Sequence, residues 1–410
     1  MNYPLITEYI EAIKAAEFNF NQLFDLRPVL DETGEPVMMR GNYTVVFKMK
    51  DEQTGKLHAL KCFLKEQEGQ AEAYRQIAEE LQYVNSSFLT HIQYLDKELT
   101  VDSKNSIETE FNILLMDWVE GKTLDKYIRE HIDDQYKLSL LAYEFSRLTM
   151  WLMPQPFAHG DLRPDNILVK DDGTLVLVHY DNMYVPTMKG QKARELGSPN
   201  FRHPLRTKDE FNEHIDDFSL VSILLSLKAI SLQPELLEEY GASDRLLFSE
   251  KDYLNLTDSK VMNILHSKFQ DKEITTLLSI FYLATSFDNL SHISYRLFNF
   301  DIPGSIINTE YVDYETGFSQ DDNKRLFYSS GTTYSDDGRR LLRGIDSSVQ
   351  FLGIVSFRIK EGTKIICDRA FSCHLDSLET VIIPKGVLAI GEDAFGFSRI
   401  KKIELPSSVV

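Results

Sequence analysis

The chain has 410 residues, too long for one typical domain, and its 63 acidic residues outnumber 44 basic ones to leave a formal net charge of -19. Two or three domains are expected, and a nucleic-acid surface is excluded as the main business, because phosphate binding needs a basic stripe. With 43% hydrophobic and 26% charged residues, the composition is that of an ordinary globular protein with a solvated acidic surface.

Cys62, Cys367 and Cys373 show no metal-ligand spacing and read as free thiols in a reducing compartment. Glu8, Glu11, Lys14 and Glu17 interrupt the first apolar residues, and Ser222, Ser226 and Lys228 break the apolar stretch from Leu220 to Ile230. Neither a secretory leader nor a membrane span is expected. A cytoplasmic location with no membrane partner follows.

Residues 4–25 mix apolar and charged positions at helical spacing, which predicts an amphipathic lead-in helix. The turn Asp31-Glu32-Thr33-Gly34 precedes a strand pattern from Gly41 to Met49, and the turn from Asp51 to Gly55 leads to a second one, Leu57 to Phe63. Ala59 and Lys61 share one face of that second strand. Residues 66–83 predict a helix with Tyr74, Ile77, Ala78 and Leu81 on one side, while Glu68, Glu72 and Glu79 form nearly one stripe. Strands near Ile92 to Tyr94 and Glu108 to Trp118 follow, then helices over Leu124 to Ile128 and Leu138 to Met153.

The run His159-Gly160-Asp161-Leu162-Arg163-Pro164-Asp165-Asn166-Ile167-Leu168-Val169 is a loop that feeds a short hairpin, with Asp172-Gly173 as the turn and Thr174 to Val178 as the return strand. Asp161 and Asn166 lie five positions apart on the irregular segment, which can aim two oxygen-bearing side chains at one point. Asp181 follows at the end of the second strand. An Asp to take a proton, with an Asn and another Asp to hold a hard cation, is the set that phosphoryl transfer needs.

This stretch resembles the H-R-D-L-x-x-x-N catalytic loop of the protein-kinase superfamily, with Tyr180-Asp181-Asn182-Met183 where that family has D-F-G. Ala59-Leu60-Lys61 stands at the A-x-K of the third strand, and Val46, fifteen residues earlier, at the second-strand valine. Of the glycine-rich loop only Gly41 remains, with Met39 and Thr44 at the other two glycine positions. Ile113 to Gly121 resembles the strand and hinge between the lobes. Gly197-Ser198-Pro199-Asn200-Phe201-Arg202-His203-Pro204 is similar to G-T-P-x-Y-x-A-P-E, with Leu205 in the Glu position. Asp216-Asp217-Phe218-Ser219-Leu220 resembles the D-x-W-S-L that opens the central buried helix, where Asp216 would support the catalytic loop. The His-Gly-Asp-Leu and G-S-P-N-F-R-H-P segments together resemble a divergent bacterial group. Gly160 stands where many kinases carry Arg, so switching through a phosphorylated activation segment is not expected.

The resemblance implies an α+β, bilobal protein-kinase-like fold, with a small lobe and N-terminal helix over 1–119 and a large lobe over 120–300 whose helices continue from Leu246 to Phe298. It also implies ATP and Mg2+ as cofactors. Lys61 would meet the α/β-phosphates and pair with a Glu of the 66–83 helix, Glu72 being favoured over Glu68 and Glu79. Gly41, Val46, Ala59, Met116, Leu168 and the backbone of Asp117 and Val119 would bind the nucleotide. Asn166 and Asp181 would hold the metal, Asp161 would accept the proton of the attacking hydroxyl, and Arg163 would stabilise charge on the transferred group.

Residues 301–350 read as a polar, turn-rich linker with a hairpin at Arg339-Arg340-Leu341-Leu342. The tail then repeats. Gly362-x-x-x-Ile366-x-x-x-Ala370-Phe371 recurs twenty-four residues on as Gly386-x-x-x-Ile390-x-x-x-Ala394-Phe395, and Leu378-x-x-Val381-x-Ile383-Pro384 recurs twenty-two on as Ile400-x-x-Ile403-x-Leu405-Pro406. One short strand per period is the mark of a leucine-rich-repeat solenoid over 351–410, incomplete at the C-terminus, and its Ala-Phe and Ile-Pro marks resemble bacterial surface-type (BspA-type) repeats. Two repeats are too few to bury a core unaided.

Three readings of function follow: a Ser/Thr protein kinase whose repeats and large lobe bind a protein substrate or partner, a pseudokinase scaffold, and a small-molecule kinase. The third rests on the likeness of H-G-D-L-x-P-x-N to the antibiotic and choline phosphotransferases. The segment from Gly197 to Pro204, which resembles a peptide-binding activation segment, argues against the third, and retained Lys61, Asp161, Asn166 and Asp181 argue against the second. The first is the expectation.

Overall fold

The computed structural model describes the chain apart from residues 1, 83, 85, 287–289, 291–297, 299, 301, 302, 304–331, 335–337, 345–355, 372–377, 392, 397, 407, 408 and 410. It divides into two units, Met1–Gln82 with Thr90–Glu120, and Tyr83–Leu89 with Gly121–Val410.

The first unit opens with α1 (Ile6–Lys14) and α2 (Ala16–Asn19). The expected single lead-in helix is therefore broken at Ala15, where Asn19 Nδ2 donates back to Ala12 O at 2.9 Å. Strands β1 (Leu26–Pro28), β2 (Met38–Arg40), β3 (Thr44–Asp51) and β4 (Leu57–Phe63) precede α3 (Gln70–Leu81), and β5 (Ile92–Thr100) and β6 (Glu110–Asp117) follow it. They form one antiparallel sheet in the order β1-β3-β4-β6-β5, with β2 also on β3.

Strand alternation gives this sheet two different faces. Val45, Phe47, Met49, Leu60, Cys62, Phe111 and Ile113 pack with Tyr9 and Ile13 of α1, each large side chain contributing about 1.5–3 kcal/mol by leaving water. Tyr9 also donates its hydroxyl proton to Phe63 O at 2.8 Å. On the opposite face Val46 pairs with Lys61, Lys61 with Leu114, and Ala59 with Met116.

The second unit begins with β7 (Lys122–Thr123), α4 (Leu124–Glu130) and α5 (Gln135–Leu152), the last capped by Asp134 accepting from Lys137 N at 3.0 Å. The hairpin β8 (Ile167–Val169) and β9 (Leu175–Leu177) extends β7 into a three-stranded sheet. Gly173 has φ +87° at its turn, as Asp-Gly requires. Helix α6 (Asp217–Leu232) is buried on nearly every side, its serines included, the mark of a core helix. Around it lie α7 (Glu235–Tyr240), α8 (Glu250–Leu254), α9 (Lys260–Lys268) and α10 (Lys272–Ser286). The rings of Phe218, Phe248, Tyr253 and Phe281 meet with centroids 4.9–6.1 Å apart. Most of the expected helical continuation from 287 to Phe298 lies outside the described residues.

The C-terminal part adds β10 (Thr333–Tyr334), β11 (Arg340–Arg343), β12 (Ser356–Arg358), β13 (Ile365–Ile366), β14 (Thr380–Ile382), β15 (Ala389–Ile390) and β16 (Lys402–Glu404). β10 pairs antiparallel with β11. Two parallel ladders run β11-β13-β15 and β12-β14-β16. Their registers join Ile366 to Ile390 and Val381 to Ile403, and Phe371 stacks on Phe395 at 5.2 Å. These are equivalent positions of the sequence repeat. Most of the expected linker and Cys373 fall outside the described residues, while Cys62 and Cys367 are buried free thiols. Among the described residues no helix is long and apolar enough to cross a membrane.

The packing of α1 sets two graded outcomes in urea unfolding of the full chain. Tyr9→Phe, which removes only the bond to Phe63 O, is expected to cost about 1 kcal/mol, and Tyr9→Ala about 3–5 kcal/mol through the cavity it leaves.

Candidate active site

In the first unit Lys61 is only 4% exposed, although it lies at the centre of a sheet face with Val46, Ala59, Leu114 and Met116. Its Nζ donates to the Tyr74 hydroxyl at 2.8 Å and lies 5.4 Å from that ring. Tyr74 is itself held from α3 by Phe63 at 5.8 Å and a parallel stack on Tyr94 at 6.4 Å. The structure does not bring Glu72 to this lysine. Glu72 is exposed and binds Arg75 at 3.2 Å and Gln76 at 3.3 Å, because Glu72 and Glu79 lie on the solvent side of α3 and Glu68 precedes the helix. Glu68 and Glu79 are exposed as well. The buried acid of α3 is Glu80, 8% exposed, which lies on the side of Ala73 and Ile77.

Gly41 opens the short turn between β2 and β3, donating its N–H to Thr44 O at 2.8 Å. Its φ lies outside the left-handed region, and an added Cβ would meet Thr44 Oγ1 at 3.2 Å. The backbone at 41 therefore does not demand glycine, and the strand partners Met39 and Val46 continue the ladder up to this turn. At the other end of the face, Asp117 N–H donates to His91 O at 3.2 Å and Trp118 N–H to Leu57 O at 3.1 Å. The Asp117 carboxylate takes Lys56 at 2.8 Å. Val119 is half-buried.

In the second unit the loop over 159–166 hangs from one carboxylate. Asp216, 2% exposed, accepts the backbone N–H of His159 and that of Gly160, the latter at 2.9 Å. Burial pushes this carboxyl above the usual range, against the opposing pull of His159, the two N–H groups and Arg206. His159 Nε2 meets Val178 O at 2.8 Å, and Nδ1 meets Asp161 N–H at 3.4 Å. Those partners require the proton on Nε2. Gly160 has φ +82°, and a Cβ there would sit 2.0 Å from Asn182 O. An Arg at this position is sterically excluded by the backbone itself.

Asp161 is drawn into a tight set of bonds. Asn166 Nδ2 donates to its carbonyl at 2.8 Å and to its Oδ2 at 3.1 Å, and Ser198 N–H donates to Oδ1 at 3.1 Å. Arg163 Nε lies 3.6 Å from Oδ2. Asn166 is buried, and since its amide nitrogen is spent on Asp161, its Oδ1 is left as an acceptor. Asn166 precedes β8 and Asp181 follows β9, so both stand at the hairpin end opposite the Asp172-Gly173 turn. Asp181 lies in a short helical turn entered through His179, whose φ of +67° redirects the chain; its Oδ2 is 3.7 Å from His179 Nδ1 and its backbone carbonyl accepts from Arg194. Leu168 sits mid-hairpin beside Gly121, where an added Cβ would come within 2.9 Å of Val169 O.

No cluster of three His, Cys, Asp or Glu side chains suited to a metal gathers among the described residues. The oxygens of Asn166 and Asp181 nonetheless suit Mg2+, which binds through one or two protein oxygens and completes its shell with water and phosphate.

A family model described as "Protein kinase domain" matches residues 35–239, half of the 410 residues. The chain belongs to the protein kinase domain family. Its match ends within α7, so α8 to α10 and the parallel ladders lie beyond it.

This kinase domain departs from the family pattern after the catalytic loop. Leu205, at the Glu position, is 68% exposed, and the next residue takes the inward place. Arg206 is buried, and its Nη1 donates to Gly160 O at 3.2 Å and Leu196 O at 3.5 Å. The segment is clamped again where Tyr253 donates to Asn200 O at 2.7 Å and Asn200 Oδ1 accepts from Glu250 N at 2.9 Å. Gly197, at φ +74°, passes so near Asp161 that a Cβ would lie 2.8 Å from its Oδ1. Tyr74 and Arg206 were not singled out by motif, and Ser198 was quoted only within the Gly197–Pro204 segment, with no role assigned. Ser198 and Arg206 lie in or beside the recognised activation segment, while Tyr74 carried only the signal of lying on the apolar side of a helix.

Asp216→Ala leaves two buried N–H groups without an acceptor and is expected to cost about 2–5 kcal/mol. Gly160→Ala puts a Cβ on a left-handed backbone and against Asn182 O, and is expected to cost more than about 2 kcal/mol. Both are read by urea unfolding beside the exposed control Glu72→Gln, which is expected to move stability by less than about 0.5 kcal/mol.

Proposed function

We propose that this protein is an ATP- and Mg2+-dependent Ser/Thr kinase that phosphorylates a protein hydroxyl. The observation that carries the reading is the Asp161–Asn166 arrangement: Asn166 spends its nitrogen on Asp161 and keeps an oxygen for a cation, while Asp161 presents a carboxylate held by Ser198 N–H. Such preorganisation of charge and position supplies most of the catalysis in phosphoryl transfer.

In this reading Lys61 meets the α/β-phosphates over a face built from Val46, Ala59 and Met116, with the backbone of Asp117 and Val119 at the adenine edge. Asp161 orients the acceptor hydroxyl and takes its proton as the hydroxyl oxygen forms a bond to the γ-phosphorus. The bond to the β–γ bridging oxygen breaks, and ADP leaves with that electron pair. Arg163 stabilises charge on the transferred group. Asn166 and Asp181 hold Mg2+, which neutralises the phosphate oxygens. The parallel ladders, which join equivalent repeat positions, support reading residues 351–410 as leucine-rich repeats that bind a protein partner. The buried free thiols Cys62 and Cys367 suit the cytoplasm.

One observation favours a second reading, a scaffold that binds nucleotide without transferring phosphate: the turn at Gly41 does not demand glycine, whereas a loop built for close backbone approach to phosphate would.

Incubation with γ-labelled ATP, Mg2+ and a generic basic protein separates the two. Label is expected in the acceptor or the chain itself, and Asp161→Asn is expected to lower transfer by at least about 100-fold. A Mg·ATP-induced rise in melting temperature with no transfer from the wild type would favour the scaffold. Tyr74→Phe removes a bond of about 1 kcal/mol from Lys61, and is expected to raise KM for ATP about 5-fold while kcat changes less than about 2-fold.

A further inference from the structure

The parallel pair β11–β13, the start of the ladder β11-β13-β15, has two faces, and both are buried. Leu341 and Ile366 point into the C-terminal core with Ala370, Phe371 and Val381. Strand alternation turns Arg340, Leu342, Ile365 and Cys367 the other way, to the side that a free-standing ladder would give to water. Arg340, Ile365 and Cys367 are instead 0% exposed and Leu342 is 2% exposed, so this face is covered.

Two contacts identify what lies against it. The Arg340 guanidinium sits over the Phe157 ring at 5.8 Å from its centroid, within cation–π range. Arg339 Nη1 lies 3.3 Å from Glu213 Oε1. Phe157 is fully buried against Trp151 at 6.1 Å and stands two residues before His159. Glu213 stands three residues before Asp216. The two arginines thus grip the two segments that Asp216 joins through the N–H groups of His159 and Gly160.

We propose that the first rung of the C-terminal ladder is a positioning device for the catalytic loop, with Arg340 and Arg339 holding the segments that carry His159 and Asp216 in register. The ladder is then part of the catalytic unit, and a partner bound by the repeats is presented at a fixed orientation to Asp161. The effect on transfer rests on the kinase reading above; the effect on the loop does not.

The test compares the full-length wild type with Arg340→Met, which keeps the apolar stem, Arg340→Lys, which restores a cation, and Arg339→Ala. Amide hydrogen exchange of the peptide over 157–161 is measured beside kcat and KM for ATP. Arg340→Met is expected to speed exchange in that peptide about 10-fold and to lower kcat about 10-fold with KM for ATP within about 2-fold. Arg340→Lys is expected to recover part of both, and Arg339→Ala, which leaves the ladder's buried face intact, to move them in the same direction by less. Faster exchange confined to 333–404, with the 157–161 peptide unchanged, overturns the proposal. If Arg340→Met does not fold, Arg339→Ala decides by the same two signs. A wild type that transfers no phosphate removes the kinase reading, and the exchange measurement still decides this one.

Discussion

A single buried carboxylate organises the second unit. Asp216 accepts two consecutive backbone N–H groups from the loop over 159–166, and a buried acceptor with two donors is costly to disturb because each donor left alone pays its full desolvation. This bond pair fixes the peptide that carries Asp161. Gly160 can then adopt its left-handed φ against Asn182 O, and the Asp161 carboxylate falls within reach of Asn166 Nδ2 and Ser198 N–H. Arg206 closes the same peptide from the activation segment by donating to Gly160 O.

The first unit solves a different problem with one sheet. Its α1-covered face is a conventional apolar core, whereas the other face buries a lysine among Val46, Ala59 and Met116. A buried ammonium is tolerated only when polar groups meet it, and the Tyr74 hydroxyl provides one such group from α3. The face combines an apolar floor with one fixed cation.

Much of this was legible in the chain, for physical reasons that differ from residue to residue. Asp161, Asn166 and Asp181 were readable because a loop, a hairpin turn and a return strand fix their relative places over a short span. Strand periodicity put Ala59 and Lys61 on one side, and the structure places Val46 and Met116, singled out by resemblance alone, beside them. Glu72 was not: three exposed glutamates at helical spacing present the same pattern as an inward stripe, and only the packing of α3 distinguishes Glu80 as the buried acid. The inward turn of Arg206 in place of a Glu depends on its contact with a distant segment, while the break at Ala15 goes with a local side-chain bond from Asn19 to Ala12 O that the spacing of apolar residues does not show. The repeats were visible as a period, but how a ladder so short buries its second face, with Arg340 on Phe157, needed the tertiary structure.

The most direct test of the central claim is a crystal structure with Mn2+ and an ATP analogue whose β–γ bridging oxygen is nitrogen, located by the manganese anomalous signal. The account predicts a manganese peak bound by Asn166 Oδ1 and the Asp181 carboxylate, with the α/β-phosphates at Lys61 and the γ-phosphate facing Asp161. A nucleotide seated elsewhere, or manganese with neither Asn166 nor Asp181 among its ligands, would contradict it.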